Sequence, residues 1–230
     1  MTIQLTRIQM SKLLYSLKGD SNHSPYSIVE DAINIPLNFH DEIPNFIMKA
    51  NKKRNNMELG LSTNEIVALA NLCELTALKS TSLQNWIKRD VKELIGSPEL
   101  GKKYSIDQAA MLLIVKDLKN SFDFEKIRNV LTVVFNTLSD RSDDLISPIS
   151  FYELYAKVLS SLDVLPSLTM GGDPTLKHII IQKIDALSKP LNDLSDLQWE
   201  TIKSVLVISV LSVLASHLHT LAQIHLSENI

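Results

Sequence analysis

One run of the chain has side chains suited to a negatively charged, base-bearing partner: Ser80-Thr81-Ser82-Leu83-Gln84-Asn85-Trp86-Ile87-Lys88-Arg89. At helical spacing, Leu83, Trp86 and Ile87 form an apolar side, and Thr81, Ser82, Gln84, Asn85, Lys88 and Arg89 form a polar one. Short hydroxyls at a helix head suit phosphate contacts. Gln84 or Asn85 could read adenine, and Lys88 and Arg89 could hold phosphate or guanine. Trp86 fits the core better than base stacking. Further on, Gly101-Lys102-Lys103-Tyr104-Ser105 places two cations at a glycine-led turn, where nothing favours burying them. Tyr104 leaves two readings open: its hydroxyl could touch a phosphate, or its ring could pin the turn to the body. The bland alternative for the whole set is a capped surface helix with no partner.

Other chemistries find little support. His217, His219 and His225 are spaced two and six apart, which scatters their rings around a helix rather than pairing them for a metal. Cys73 is the single cysteine, so neither an internal disulfide nor a thiolate cluster can form within one chain. Asp143-Asp144 reads as a solvated turn and Gly171-Gly172-Asp173 as another. The chain has no glycine-rich phosphate loop, no nucleophile elbow and no HExxH pattern. The expectation is a binding protein with no catalytic residues, no metal and no cofactor.

The elements that must position these residues are helices. Residues 6–18 carry Ile8, Leu13, Leu14 and Leu17 at helical spacing and stop at Gly19. Asp20 to Pro25 reads as a turn. Pro36 and Pro44 break the next stretch into an extended run and then a helix, which ends in the polar cluster containing Lys52, Lys53 and Arg54. Ser62-Thr63-Asn64-Glu65 is a capping box that starts a helix burying Ile66, Leu69, Ala70 and Cys73. The helix from Thr81 or Ser82 follows, stopped near Gly96-Ser97-Pro98. Ser105-Ile106-Asp107-Gln108 is a second capping box, opening a helix to about Asn120 that buries Ala109, Leu112, Leu113, Val115 and Leu118. Asp123 caps another to about Leu138. Three more helices are expected at Pro148–Leu162, Pro174–Leu187 and Leu194–Leu226. The run from Val205 to Ala215 is apolar, but Lys203, His217, His219 and Gln223 bound it too closely for a membrane span of roughly 20 apolar residues. A buried or dimer-forming helix is the expectation.

The whole chain has 230 residues, a net charge of −3 and only 6 glycines, an ordinary helix-rich soluble composition. The charge is unevenly spread: Lys49 to Arg128 holds 14 basic and 10 acidic side chains, while the flanking segments are acidic. A local positive field can attract phosphates on an acidic molecule. The lone cysteine and the lack of a basic-then-apolar leader suggest a cytoplasmic protein.

In order, these parts resemble the DNA-binding domain of MerR-type bacterial transcription regulators. Leu83-Gln84-Asn85-Trp86 corresponds to the recognition helix, Gly101-Lys102-Lys103-Tyr104-Ser105 to the wing, and Phe122-Asp123-Phe124-Glu125-Lys126-Ile127-Arg128-Asn129-Val130-Leu131 to a following short helix. The chain as a whole also resembles a bacterial family known only as a domain of unknown function. It departs from the MerR pattern in the sixty residues before the match, in a longer Cys73–Ser80 turn and in lacking the family's cysteine metal site. The resemblance implies an all-α fold: a winged helix-turn-helix with a small β-wing, plus a helical C-terminal bundle. The expected divisions are 1–58, a DNA-binding domain at 59–138 and a dimerisation or effector region at 145–230. The implied function is sequence-specific binding of double-stranded DNA by a homodimer, with repression slightly favoured over activation, an unidentified small-molecule effector as a further partner, and no membrane. Thr81, Ser82, Gln84, Asn85, Lys88, Arg89, Lys102, Lys103 and Tyr104 are the expected contacts. The alternative is a protein-interaction module built on the same scaffold without DNA binding.

Overall fold

The computed structural model describes residues 3–33, 43–52, 58–136, 140–162, 175–190 and 193–229. Pro36, the Lys53 and Arg54 pair, the Gly171-Gly172-Asp173 turn and the helix end expected near Leu138 lie outside them. Among the described residues the fold is all-α, with no sheet and only three isolated β-pairings. The chain divides into two compact units, residues 1–113 and 114–230.

In the first unit, α1 (Arg7–Lys18) starts on a Thr6–Gln9 capping box and ends at Gly19, whose φ of 93° is the left-handed geometry of a helix stop. It buries Met10, Leu13, Leu14 and Leu17. α2 (Pro25–Ile33) corrects the expected extended run. Ser24 accepts the Ser27 N–H (3.1 Å), and Pro25 occupies a first helical position where its missing N–H costs nothing. α3 (Asn45–Lys52) follows Pro44 as expected. α4 (Thr63–Asn71) begins at the Ser62–Glu65 capping box and buries Ile66, Leu69 and Ala70. α5 (Ser80–Asn85) runs directly into a π turn (Trp86–Asp90), and after Val91 comes the single turn α6 (Lys92–Ile95).

α7 (Ile106–Lys119) starts on its own capping box and contributes residues to both units. Every apolar residue expected to be buried on it is buried.

The second unit contains α8 (Phe124–Phe135), α9 (Pro148–Ser160), α10 (Leu176–Asp185) and α11 (Asp196–Asn229). Asp123, Ser147 and Thr175 cap α8, α9 and α10 through their side-chain oxygens. Phe135, Phe151, Tyr152 and Tyr155 form an edge-to-face aromatic cluster with ring centroids 4.9–5.9 Å apart. α11 packs on α8, α9 and α10, burying Trp199, Ile202, Leu206, Val210 and Val213. Its buried serines are satisfied: Ser212 donates to the Asp117 carbonyl (2.9 Å), and Ser216 accepts from Asn120. Asp117 also accepts the Tyr155 hydroxyl (3.1 Å). From Ala222 onward the described part of α11 is exposed. By length and composition α11 could cross a membrane, but 39% of its most apolar window is buried inside the fold.

Candidate nucleic-acid interface

The candidate helix is held by a turn longer than a minimal helix-turn-helix connection, and the structure shows what makes that turn rigid. Asn71, the last residue of α4, donates its amide to the Leu78 carbonyl (3.1 Å) and accepts the Leu78 N–H (2.7 Å). One side chain thereby closes the loop that leads into α5. From the other side, Leu5 pairs in parallel with Cys73, its N–H on the Leu72 carbonyl (2.6 Å) and its carbonyl accepting from Glu74 (2.9 Å). Arg7, almost fully buried, pairs with Glu74 at 3.5 Å. Leu75 takes a φ of 53° within this turn, a strained conformation for a leucine that these contacts sustain.

α5 and its π turn bury Leu83, Ile87 and Val91, with Trp86 partly buried. Val91 donates to the Trp86 carbonyl five residues back (2.8 Å), the bond that defines the widened turn. This widening rotates Lys88 and Arg89 relative to Gln84 and Asn85, away from the positions a regular helix would give them. The exposed side holds Thr81, Gln84, Asn85, Lys88 and Arg89, with Ser82 partly buried. Among the described residues, none of these six side chains makes a hydrogen bond or an ion pair. Their donors and acceptors are unspent.

The β-wing expected at Gly101–Ser105 is not a two-stranded sheet. Leu100 and Lys103 exchange backbone hydrogen bonds (3.0 and 3.2 Å) around a two-residue turn, with Gly101 at φ 69°, the positive value that the first central position of a type II′ turn requires. Pairing stops there because the flanking amides are diverted. Glu99 and Ser105 both donate their N–H groups to the Gln108 side-chain oxygen (3.3 and 3.0 Å). The Gln108 amide nitrogen then donates to the Ile95 and Ser97 carbonyls, each at 2.7 Å. Gln108, fully buried, therefore ties the end of α6, the turn and the start of α7 together.

The turn is also fastened to α4. Leu61 and Tyr104 exchange two backbone hydrogen bonds of 2.8 Å. Gly60 lies beneath: a Cβ added there would sit 2.8 Å from the Lys103 Cβ. Lys102 projects from the turn, exposed and unpaired among the described residues. Lys103 is exposed too, but its ammonium pairs with Glu65 of α4 at 3.1 Å. Burial raises the Glu65 pKa, but hydrogen bonds from Ser62 and from Lys103 outweigh it and leave that carboxyl below its ordinary value. Tyr104 is 9% exposed, and desolvation raises its hydroxyl pKa, so its position supports the pinning role over phosphate contact.

Sequence reasoning named the expected contact residues and found both capping boxes, but did not identify the residues that hold these segments in place: Asn71, Gln108, Leu5, Arg7, Gly60 and Glu58. Glu58 accepts the Ile106 N–H (2.6 Å) as an additional cap on α7. Burial, aided by the charges of Asp107 and Glu99, raises its pKa. Beside it, Lys18 pairs with Asp107 at 2.8 Å. Only Gln108 carried a local signal, as the fourth residue of its capping box.

A family profile described as a domain of unknown function, DUF1836, matches residues 39–156. The uncharacterized protein YkrK of Bacillus subtilis (strain 168) is 50% identical over 222 residues, covering 95% of each chain. No solved structure matches significantly. With the profile spanning half of the chain and this relative nearly all of it, the chain belongs to the DUF1836 family.

Proposed function

We propose that this protein is a sequence-specific double-stranded DNA-binding regulator of transcription that acts as a homodimer and catalyses no reaction. In this reading the fold is MerR-like, with the wing reduced to the turn around Gly101, and repression is slightly favoured over activation. α5 and its π turn enter the major groove, with Gln84 and Asn85 facing base edges. Lys88, Arg89 and Lys102 hold phosphates. The carrying observation is the unspent polar face Thr81–Arg89 on a helix whose entry and exit are locked by Asn71 and Gln108. A side chain that must meet a base edge gains from such a support, because ordering it beforehand lowers the entropic cost of binding. Dimerisation is supported by the exposed Leu218, Leu221, Ile224 and Leu226 on the last turns of α11. A cytoplasmic location accompanies this function.

The test is selection of duplexes from the source genome by the full-length protein, followed by affinity measurement across a salt series. A two-fold symmetric site, with affinity falling as salt rises, supports the proposal. Replacing Gln84, Asn85, Lys88 and Arg89 together by alanine should abolish selection, and unchanged operator affinity would overturn it.

The rival reading is a protein-interaction module without DNA binding. It is favoured by the same exposed leucines on α11 and by the net charge of −3. No duplex retention even at low salt, together with a stable protein complex, would select it.

A further inference from the structure

A cavity of about 470 Å³ lies in the first unit, between α1 and α2 and the loop joining them. Its volume falls within the range of roughly 300–1,000 Å³ common for small-molecule sites. α1 has its core face on Met10, Leu13, Leu14 and Leu17, and turns a second face, with Lys12 and Tyr15, into the cavity. α2 contributes Ile28, Asp31 and Ala32, at spacings that share one helix face. The connecting loop is preformed. Ser16 donates its hydroxyl to the His23 carbonyl (2.6 Å), Asp20 donates its N–H to the Tyr15 carbonyl (2.9 Å), and Ser21 accepts the His23 N–H (3.1 Å).

The charges around this cavity are of both signs and not mutually satisfied. Lys12 and Asp31 both line it, and among the described residues neither makes an ion pair or a hydrogen bond. Asp20, the other carboxylate of the lining, faces Lys18 at 4.0 Å. One unspent ammonium, one unspent carboxylate and an apolar wall of Tyr15, Ile28 and Ala32 make a complementary set for a zwitterion with an apolar body.

We infer that this cavity binds a free apolar amino acid. The ligand carboxylate is held by Lys12, its ammonium by Asp31, and its side chain rests on Tyr15, Ile28 and Ala32. A single-charged ligand would engage one of these groups and leave the other to solvent, so the second charge should add affinity. The inference does not depend on DNA binding, and its assay contains no DNA.

The experiment is amide-resolved NMR titration of the full chain with L-leucine, L-methionine and L-phenylalanine. Isopentylamine and 4-methylpentanoate serve as analogues of leucine lacking one charge each. At least one of the three amino acids should give saturable shifts in α1 and α2, with Kd of about 1 mM or tighter. Each leucine analogue should bind at least about tenfold more weakly than leucine if leucine is the ligand. If methionine or phenylalanine binds instead, its own amine and acid analogues should show the same loss. K12Q and D31N alter exposed side chains, so both should fold, as far-ultraviolet circular dichroism checks, and both should lose binding. Overturning results are the absence of saturable shifts with all three amino acids up to about 10 mM, analogues that bind as well as their parent, or variants that bind unchanged.

Discussion

Gln108 shows how a residue can be visible in the sequence and still be underestimated. Its place in Ser105-Ile106-Asp107-Gln108 identifies a capping box, and that role is real. Its other partners are the Ile95 and Ser97 carbonyls and the Glu99 amide, backbone groups of any residue type, which leave no mark in the sequence. Gln108→Leu strands buried donors and acceptors and should destabilise the first unit by roughly 2–4 kcal/mol, read as a lower Tm and denaturation midpoint. Gly60 was illegible for a similar reason: what demands glycine there is the approach of Lys103, brought close by the turn. The two lysines of the turn should also separate. Lys102→Ala should weaken DNA binding and reduce the salt slope by about one, as loss of a phosphate contact does. Lys103→Ala removes a partner of Glu65, so part of its effect should appear as lost thermal stability of the free protein.

At the level of elements, most helices were legible because caps and apolar spacing are local properties. Ser62, Ser105, Asp123 and Pro148 mark helix starts in the sequence and in the fold. α2 was not recognised, although Ser24-Pro25 is a readable start, because Pro36 and Pro44 invite an extended reading. The π turn has no comparable signature, since it depends on fitting Leu83, Ile87 and Val91 into one core. The start of α7 offers a pH test. Glu58 holds a proton more readily folded than unfolded, because burial penalises its charge. Stability linked to it is therefore highest at acid pH and falls as pH rises from the ordinary glutamate value through the raised one. Glu58→Gln keeps an acceptor for the Ile106 N–H but removes the charge. The variant should gain Tm relative to wild type at pH 7, and that gain should vanish near pH 4, as paired melting curves would show.

For the whole molecule, the all-α class followed from composition and periodicity, whereas the division within α7 and the α1–α2 cavity did not. Both depend on packing between distant segments. α11 was foreseen as a long helix with its apolar run at Val205–Ala215, but only the fold shows where its burial stops. Truncation after His217 should leave the melting of the second unit close to wild type, because the residues removed are largely exposed. It should convert a dimer to a monomer in sedimentation or light scattering, and an unchanged mass would remove this segment from the proposed interface.

The Leu5–Cys73 pairing turns the chain's single thiol into a clock. Cys73 is 4% exposed and sits on the backbone bridge that braces the loop ahead of α5. A thiol reagent can reach the buried sulfur only when this part of the fold opens, so the labelling rate divided by that of an exposed thiol gives the fraction of time the region around the brace is open. No engineered probe is needed, and no second cysteine confuses the signal. Followed with and without duplex, this one rate reports how far α5 is set beforehand and whether duplex DNA alters it.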